Sequence, residues 1–483
     1  MIRSDALLPI LVMLPLSLAL LLLLSGRWGR FLSLAGMVLT TALAALLLSH
    51  GGQPLHHAMG GWPAPLGIGL RADGLATLMV MMTALVCSAA LIYGEYWFDG
   101  AKAEQGRQFR PLAWLLWAGV NALLLADDLF NLYVTLELLT LLAAGLAALM
   151  ATQAALTAAL RYLMVALIAS TAFLLGVALL YGATGTLALE LISIRVAANP
   201  QPVLVVAMAL MVGGLALKAA LFPLHGWLPP AHGGAAPPVS ALLSALVVKA
   251  SFYVVLRLWM GPLAPLTGGV GPVLGVLGGM AIVWGGWQAL RQHNLKMVVA
   301  YSTVAQMGYL FLAFDLLQGA GYASALNGMV LQAVAHGLAK GAMFLAAGAL
   351  VVAAGGYRVD QLQGMASRQP LAVTALAVAG ISLAGMPPTA GFAGKWLLLQ
   401  AAWLNGQWLW LAVMLAGSLL TASYLLKVVA VTFLPAPVAA SVGCGQRLGG
   451  VALMLALLAL LAGFAVMPML QLLAPVATTG GWL

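Results

Sequence analysis

Charge is what this chain has least of. Asp, Glu, Lys and Arg make up 6% of its 483 residues, against roughly 25% in a soluble domain. Hydrophobic residues make up 64% and mean hydropathy is +1.07. A soluble globular fold is excluded, and a polytopic membrane protein is expected. Cysteine is almost absent. Cys87 and Cys444 stand too far apart for a disulfide framework or a metal spacing, so both are expected as free thiols. The chain has no phosphate loop of GxxxxGK type ending in Ser or Thr, no CxxC, no haem or quinone signature and no nucleophile triad. These absences predict no cofactor and no metal in this chain, and leave an ion gradient or a partner subunit as its energy source. The formal charge of +9 reads as loop bias and buried lysines, with no nucleic acid as partner.

What the chain has is apolar length. Fourteen apolar segments, each long enough to span about 30 Å of hydrocarbon, run 6–25, 31–49, 73–94, 111–126, 128–150, 156–181, 203–222, 237–260, 271–290, 295–317, 324–352, 371–400, 403–434 and 449–475. Only helices and closed barrels satisfy their backbone in lipid, and runs this long and continuous are helices. The first reads as a spanning helix, without the charged start and small-residue cleavage site of a secretory signal. The expected architecture is all-α, with about fourteen transmembrane helices. No soluble domain interrupts it; the longer loops, 50–72, 182–202 and 353–370, are short.

Lys and Arg in short loops set orientation. Eleven fall on one set of alternate loops, from Arg27 and Arg30 through Lys296 and Arg358 to Arg447, and four on the other (Arg3, Arg71, Arg195 and Arg257). The first set is expected in the cytoplasm, with both termini outside it. Trp97, Trp114, Trp259 and Trp408 lie near segment ends and read as interface anchors. Two segments are interrupted. Pro223 breaks the seventh just after Lys218, and Pro387 and Pro388 break the twelfth just before Lys395, because proline removes a helical hydrogen bond and clashes with the preceding turn. Broken helices at matching places suggest an inverted repeat. The expected units are helices 1–3 (residues 1–110), a five-helix unit over helices 4–8 (111–260), a second over helices 9–13 (271–434), and helix 14 in residues 435–483.

The few ionisable residues inside these segments are the candidates for chemistry. A charged side chain in hydrocarbon costs several kcal/mol unless it faces a polar interior or is paired. Glu137 stands about 14 Å into its segment at 1.5 Å per residue, with Lys218 as its natural partner. Lys249 lies some 18 Å past Pro237. Lys340 and His336 are four residues apart, on one helix face, and read as a proton relay; Lys395 closes the series. A glutamate of this kind can also simply tie two helices together, and a lysine can snorkel to the interface. Snorkelling suits Lys427, nearer a helix end, better than the central lysines. His225 and His232, in HGWLPPAH, titrate in a range that suits proton uptake, or satisfy the carbonyls of a broken helix. Asp127 and Asp128 begin a segment and read as solvated or as a helix cap.

Several stretches resemble one family: ADDLFNLYVTLELLTLLAAGLAAL, LKAALFPLHGWLPPAHGGAAPPVSALLSALVVKASFYVVLRL, HNLKMVVAYSTVAQMGYLFLA, AHGLAKGAMFLAAGAL and GMPPTAGFAGKW. They look like the proton-translocating antiporter family, which includes antiporter-like subunits of respiratory complex I, membrane-bound hydrogenases and Mrp cation/proton antiporters. The resemblance covers about residues 60 to 475. The stretch GGWPAPLGIGLRADGLATLMV and the length look most like the D-type subunit of Mrp antiporters, and the C-terminal lateral helix of the largest complex I relative is not expected here. The resemblance implies fourteen helices, two inverted five-helix repeats and a hydrated polar axis in the membrane plane. Glu137 matches the family glutamate of the fifth helix and Lys218 its paired lysine in the seventh. Lys249 matches the lysine of the eighth, His336 and Lys340 the relay in the eleventh, and Lys395 the lysine of the twelfth. Pro230 departs from the pattern, where relatives usually carry Asp before Ala-His, so uptake there is expected to rest on His225 and His232.

The function expected on this reading is a proton-translocating subunit of a hetero-oligomeric Mrp-type cation/proton antiporter. It would sit with other membrane subunits in a bacterial inner membrane and pass H+ along the buried axis, with Na+ as the exchanged cation. The alternative is the equivalent subunit of a complex I-like NADH-quinone oxidoreductase or membrane-bound hydrogenase. A permease acting alone, and a structural subunit without transport, are the remaining readings.

Overall fold

The computed structural model describes residues 6–435 and 446–478. Arg3 and Cys444 lie outside the described residues. The chain folds into helices α1 (Leu7–Leu24), α2 (Gly29–Leu48), α3 (Gly74–Trp97), α4 (Ala103–Leu125), α5 (Leu129–Ala148), α6 (Gln153–Thr184), α7 (Leu189–Ala198), α8 (Pro202–Lys218), α9 (Leu228–Gly234) and α10 (Pro237–Leu242). The second half holds α11 (Val248–Met260), α12 (Val270–Arg291), α13 (Leu295–Leu312), α14 (Tyr322–Ala354), α15 (Met365–Arg368), α16 (Pro370–Ala384), α17 (Ala390–Leu404), α18 (Trp408–Phe433), α19 (Gln446–Leu461) and α20 (Val466–Thr478). A π-helical turn, Leu243–Val247, joins α10 to α11.

Among the described residues, ten helices are long and apolar enough to cross a membrane, and α19 with α20, bent by 63°, make an eleventh. α8 and α16 are apolar but shorter, because each stops at an interruption. Polar side chains set several starts. Asp128 accepts from Phe130 N and Asn131 N at 2.9 and 3.0 Å and caps α5, as its position suggested. Asp73 caps α3 and Asn294 caps α13 in the same way.

Lipid offers no hydrophobic drive between helices, so close backbone approach through small residues holds them together. A Cβ on Gly278 of α12 would meet the carbonyl oxygen of Gly308 of α13 at 2.7 Å, and one on Gly285 would sit 2.6 Å from Ala305 N. Between α6 and α8, Gly176 lies so close that a Cβ would be 2.7 Å from Ala207 O. At the centre, α14 and the α10–α11 span are buried almost throughout. By contrast, α1, α2, α6, α12 and α18 present exposed leucines, valines and isoleucines outward.

Two ends of the bundle can be told apart by their loop contacts. At one, strands β1 (Leu55–Ala58) and β2 (Gly69–Ala72) form an antiparallel hairpin pairing Leu55 with Ala72 and His57 with Leu70. Bridges Leu70–Ala126 and Asp128–Ala188 tie the loops before α5 and α7 to it. At the other end, Asn294 bridges Arg358, while Arg30 and Arg110 both bond Glu95. Loops assigned to one side by their charge thus meet one another.

The structure corrects several expectations. Loops 50–72 and 182–202 are not plain connectors, since they hold the hairpin and α7. The last segment is not one helix. It breaks after Leu461, where a Cβ on Gly463 would overlap the carbonyl oxygen of Pro388, so this break packs on the one between α16 and α17. Trp114 and Trp259 are core residues rather than interface anchors. Trp114 stacks on Trp117 at 4.8 Å and donates to Ser33 Oγ at 3.0 Å, and a buried indole N–H needs such an acceptor. Trp408 is exposed.

Candidate functional site

The seventh segment ends as a helix at Lys218, and the side chain turns back to α5. Its amine lies 2.8 Å from Thr140 Oγ1 and 3.3 Å from Glu137 Oε1, and 3.5 Å from Leu136 O. The sequence-predicted pair is therefore a contact. Lys218 is buried at 7% exposure, but Glu137 keeps 22%. It stands beside exposed Leu138 and Leu141, at the rim of the chain rather than in its middle.

Lys249 is wholly buried on α11. Its amine donates to Ser244 O at 2.5 Å, a carbonyl in the π-helical turn, where the hydrogen-bond ladder is interrupted. Ser244 Oγ meets Thr303 Oγ1 at 2.9 Å, and Thr303 bonds Val299 O at 3.3 Å. Lys340 donates to the same Val299 carbonyl and to Ser302 Oγ at 2.6 Å. One turn along α13, Gln306 donates to Thr421 Oγ1 at 3.3 Å and to Leu383 O at 3.4 Å, and accepts from Gln332 at 2.9 Å. Lys395 donates to Leu383 O at 2.8 Å, to Ala384 O at 3.3 Å and to Ser418 Oγ at 3.3 Å. Its amine also lies 4.4 Å over the Tyr309 ring.

Three lysines from α11, α14 and α17 thus hang on one polar seam built largely along α13. None of them snorkels to a helix end. Each amine is held by backbone carbonyls or hydroxyls, neutral acceptors, and no carboxylate among the described residues bonds it. The Glu137–Lys218 pair forms a separate cluster, and no described hydrogen bond links it to Lys249.

The histidines differ from expectation. His225 and His232 do not form one loop site. His225 is half-buried against Phe222 and Tyr301, whereas His232 is wholly buried in α9 and stacked on Phe344 at 4.5 Å. Lys340 lies 5.1 Å from that same phenyl ring. His336 is wholly buried, and no described hydrogen bond joins it to Lys340, which reaches α13 instead. Both ring nitrogens of His232 and of His336 are buried without a hydrogen-bond partner in the described structure. Such a group costs about 1–3 kcal/mol, and buried polar side chains left in this state ask for a functional explanation. Lys427 bonds Leu290 O and Gln292 O at 2.8 and 3.2 Å, so it closes the end of α12 rather than reaching out to headgroups.

Sequence reading missed two features. Lys296, counted as a loop charge, is 4% exposed. Its amine donates to Ala235 O at 2.5 Å and to Gly233 O at 3.4 Å, in the wall of a cavity of about 330 Å³ that Trp97, Thr152, Gly234, Asn294 and Tyr357 also line. The cavity lies at the end of the bundle opposite the hairpin, one residue from His232. Arg257, also counted as a loop charge, is buried and forms a bidentate pair with buried Asp73. Both lie at segment ends, where sequence alone does not distinguish a solvated charge from a buried one.

Residues 126–421, which hold Glu137 and every lysine and histidine of the site, match the family model described as NADH:quinone oxidoreductase/Mrp antiporter, transmembrane. The chain belongs to this family. It is 37% identical over 436 residues to the N-type subunit of NADH-quinone oxidoreductase from Desulforudis audaxviator, covering 87% of this chain and 85% of that protein. It is 31% identical over 398 residues to the D-type subunit of the Na(+)/H(+) antiporter from Alkalihalophilus pseudofirmus, covering 82% and 79%. Its fold superimposes on a chain of the Mrp complex from Dietzia sp. DQ12-45-1b with a TM-score of 0.89 and 28% identity, over 100% of this chain and 98% of that one.

Proposed function

We propose that the chain is a proton-translocating subunit of a multi-subunit Mrp-type cation/proton antiporter. The observation that carries this reading is the polar seam on which Lys249, Lys340 and Lys395 hang, at hydrogen-bond spacing, inside a family member whose relatives include an Na(+)/H(+) antiporter subunit. Buried amines without carboxylate partners can take up and release protons at small cost. Glu137 and Lys218, paired at 3.3 Å, form the element whose opening and closing changes the field along the seam. His232 and His336, with unsatisfied ring nitrogens, carry protons between amines. His225, half-buried beside Phe222 and Tyr301, serves uptake.

On this reading fourteen spans cross the membrane, with α4, α8 and the interrupted α16–α17 added to the ten that are long enough alone and the bent α19–α20 pair. The two five-helix units, residues 111–260 and 271–434, are inverted repeats that each carry a lysine beside a break, Lys218 and Lys395. The hairpin end faces away from the cytoplasm of a bacterial inner membrane, as do both termini. Protons moving inward drive Na+ outward through neighbouring subunits.

The test is Glu137→Gln in the intact assembly, read as Na+-dependent proton flux in inverted vesicles. Loss of flux with normal assembly is expected, and normal flux removes the pair from the mechanism. The 37% identity to a subunit of an NADH-quinone oxidoreductase favours a second reading, in which the same seam serves a redox-driven pump. Co-purified subunits separate the two, since iron–sulfur proteins support the pump and small multi-span subunits the antiporter.

A further inference from the structure

A second row of buried polar side chains starts at Lys249 and lies apart from the seam, although the Lys249 amine itself turns back to Ser244 O. Lys249, Tyr253 and Arg257 stand at i, i+4 and i+8 on α11, hence on one face, and span about 12 Å toward the hairpin end. All three are buried, and so is Asp73 at the end of the row. In a proton conductor this row is a hazard. A wire from the Lys249 amine to the hairpin end would let protons cross the membrane without travelling along the axis.

The chemistry of the row forbids a wire. The Tyr253 hydroxyl spends its one proton on Leu124 O at 2.6 Å and accepts from Arg257 Nε at 2.8 Å. The Arg257 Nη atoms both donate to Asp73. A guanidinium has five donors, no acceptor and no accessible neutral form, so a proton arriving at Tyr253 finds nothing beyond it that can receive it. The pair is also oriented. Its cationic Nε edge faces Tyr253, and Asp73 directly follows β2, so a positive charge moving from Lys249 along this row meets the positive end first. Asp73 is fixed in turn, because its Oδ1 caps α3 through Ala76 N at 3.0 Å. Arg71, and Asp127 with His56 at 3.7 Å, lie beyond it on the hairpin side.

A clamp alone does not require this arrangement. A buried ion pair is often no more stabilising than apolar side chains of the same volume, whereas a fixed arginine in a pore is an effective barrier to protons. We infer that Asp73, Arg257 and Tyr253 form an electrostatic seal that blocks proton escape from Lys249 to the hairpin end and so enforces lateral transfer along the axis. The inference rests on the proton-axis reading above.

The test uses the intact assembly in vesicles, with a pH difference imposed in the absence of Na+ on either side. The variant Asp73→Asn/Arg257→Gln replaces the ion pair by a neutral pair able to hydrogen-bond, which avoids stranding one charge. Its pH difference should decay roughly tenfold faster than wild type, the effect of about 1.4 kcal/mol off the barrier. Arg257→Lys, whose buried amine can release its proton where a guanidinium cannot, should decay faster than wild type and slower than the neutral variant. If the double variant does not assemble, Arg257→Gln alone is used, with Asp73 able to take a proton and stay bonded, and the same rise is expected. An assembled neutral variant whose decay matches wild type overturns the seal and leaves a structural clamp. Loss of Na+-dependent flux in Glu137→Gln alongside that result overturns the seal alone. Normal flux in Glu137→Gln removes only the pair, whereas normal flux in Lys395→Met overturns the axis itself, whatever the leak.

Discussion

Lys395 and Gln306 share one acceptor, the carbonyl oxygen of Leu383, at 2.8 and 3.4 Å. That oxygen is available because α16 ends at Gly385, whose φ of +81° closes the helix, and the last turn of a helix leaves its carbonyls without intrahelical donors. The break before α17 is therefore a source of acceptors placed where the lysine needs them. A second break, the π-helical turn, does the same for Lys249 through Ser244 O. Interruptions in the spans and buried amines are two halves of one device.

It follows that Lys395→Met should remove a carrier without disturbing the fold. The amine's acceptors are helix-end carbonyls and Ser418, which can bond water once the lysine is gone. Proton flux in vesicles is expected to fall by on the order of 100-fold, the typical contribution of one positioned acid–base group. Lys395→Arg should fall comparably, because a guanidinium does not release its proton. Retained flux in the arginine variant would show that only the charge of Lys395 matters.

His232 offers a separation of packing from chemistry. Its ring stacks on Phe344 at 4.5 Å while neither nitrogen has a hydrogen-bond partner in the described structure. His232→Phe keeps the stack and removes two desolvated nitrogens, so thermal stability should hold or rise slightly, as replacing unsatisfied polar groups with apolar ones of similar shape allows. Flux should nonetheless fall. Stability and flux that are both unchanged would make His232 a packing residue.

Packing between α12 and α13 makes a sharper stability claim. Gly278→Ala would push a methyl into the backbone of Leu312 and Gly308, and overpacking of this kind costs about 1–3 kcal/mol. Gly182→Ala in α6, where a Cβ meets nothing within 4 Å, should be neutral or stabilising by about 0.5–1 kcal/mol, the helical preference of Ala over Gly. Thermal inactivation of both variants in detergent, compared with wild type, measures the difference. Equal behaviour would mean that the two helices can separate freely.

The helices, the two interruptions and the Glu137–Lys218 contact were legible in the sequence because each depends on local signals: apolar run length, proline placement, and the cost of isolated charge in oil. What was not legible depends on how segment ends pack. Lys296 and Arg257 stand at run ends, and nothing local distinguishes a solvated end from one covered by α9 or by the Asp73 cap. Trp114 shows the same limit. Its indole looked like an anchor until Ser33, 81 residues earlier, supplied an acceptor. The π-helical turn was hidden too, since its acceptor role appears only when Lys249 folds back five residues onto Ser244.

Lys296 and its cavity offer a test of where protons enter and from which side. The amine sits in the wall, held by carbonyls on either side of Gly234, while Asn294 and Tyr357 line the same space. His232 precedes Gly233 directly, and beyond its ring Phe344 leads to Lys340. The cavity thus points at the seam from the end opposite the hairpin. Asn294→Cys, in a background with Cys444→Ser and with Cys87 left buried, should react with a membrane-impermeant thiol reagent from the cytoplasmic face only. Modification by a bulky reagent should lower proton flux several-fold by filling the space. Lys296→Met should lower flux in the unmodified protein, and Lys296→Arg should not restore it if the amine itself takes up protons. Labelling from the opposite face would reverse the membrane orientation derived from loop charge, and full labelling with unaltered flux would move the intake elsewhere, toward His225.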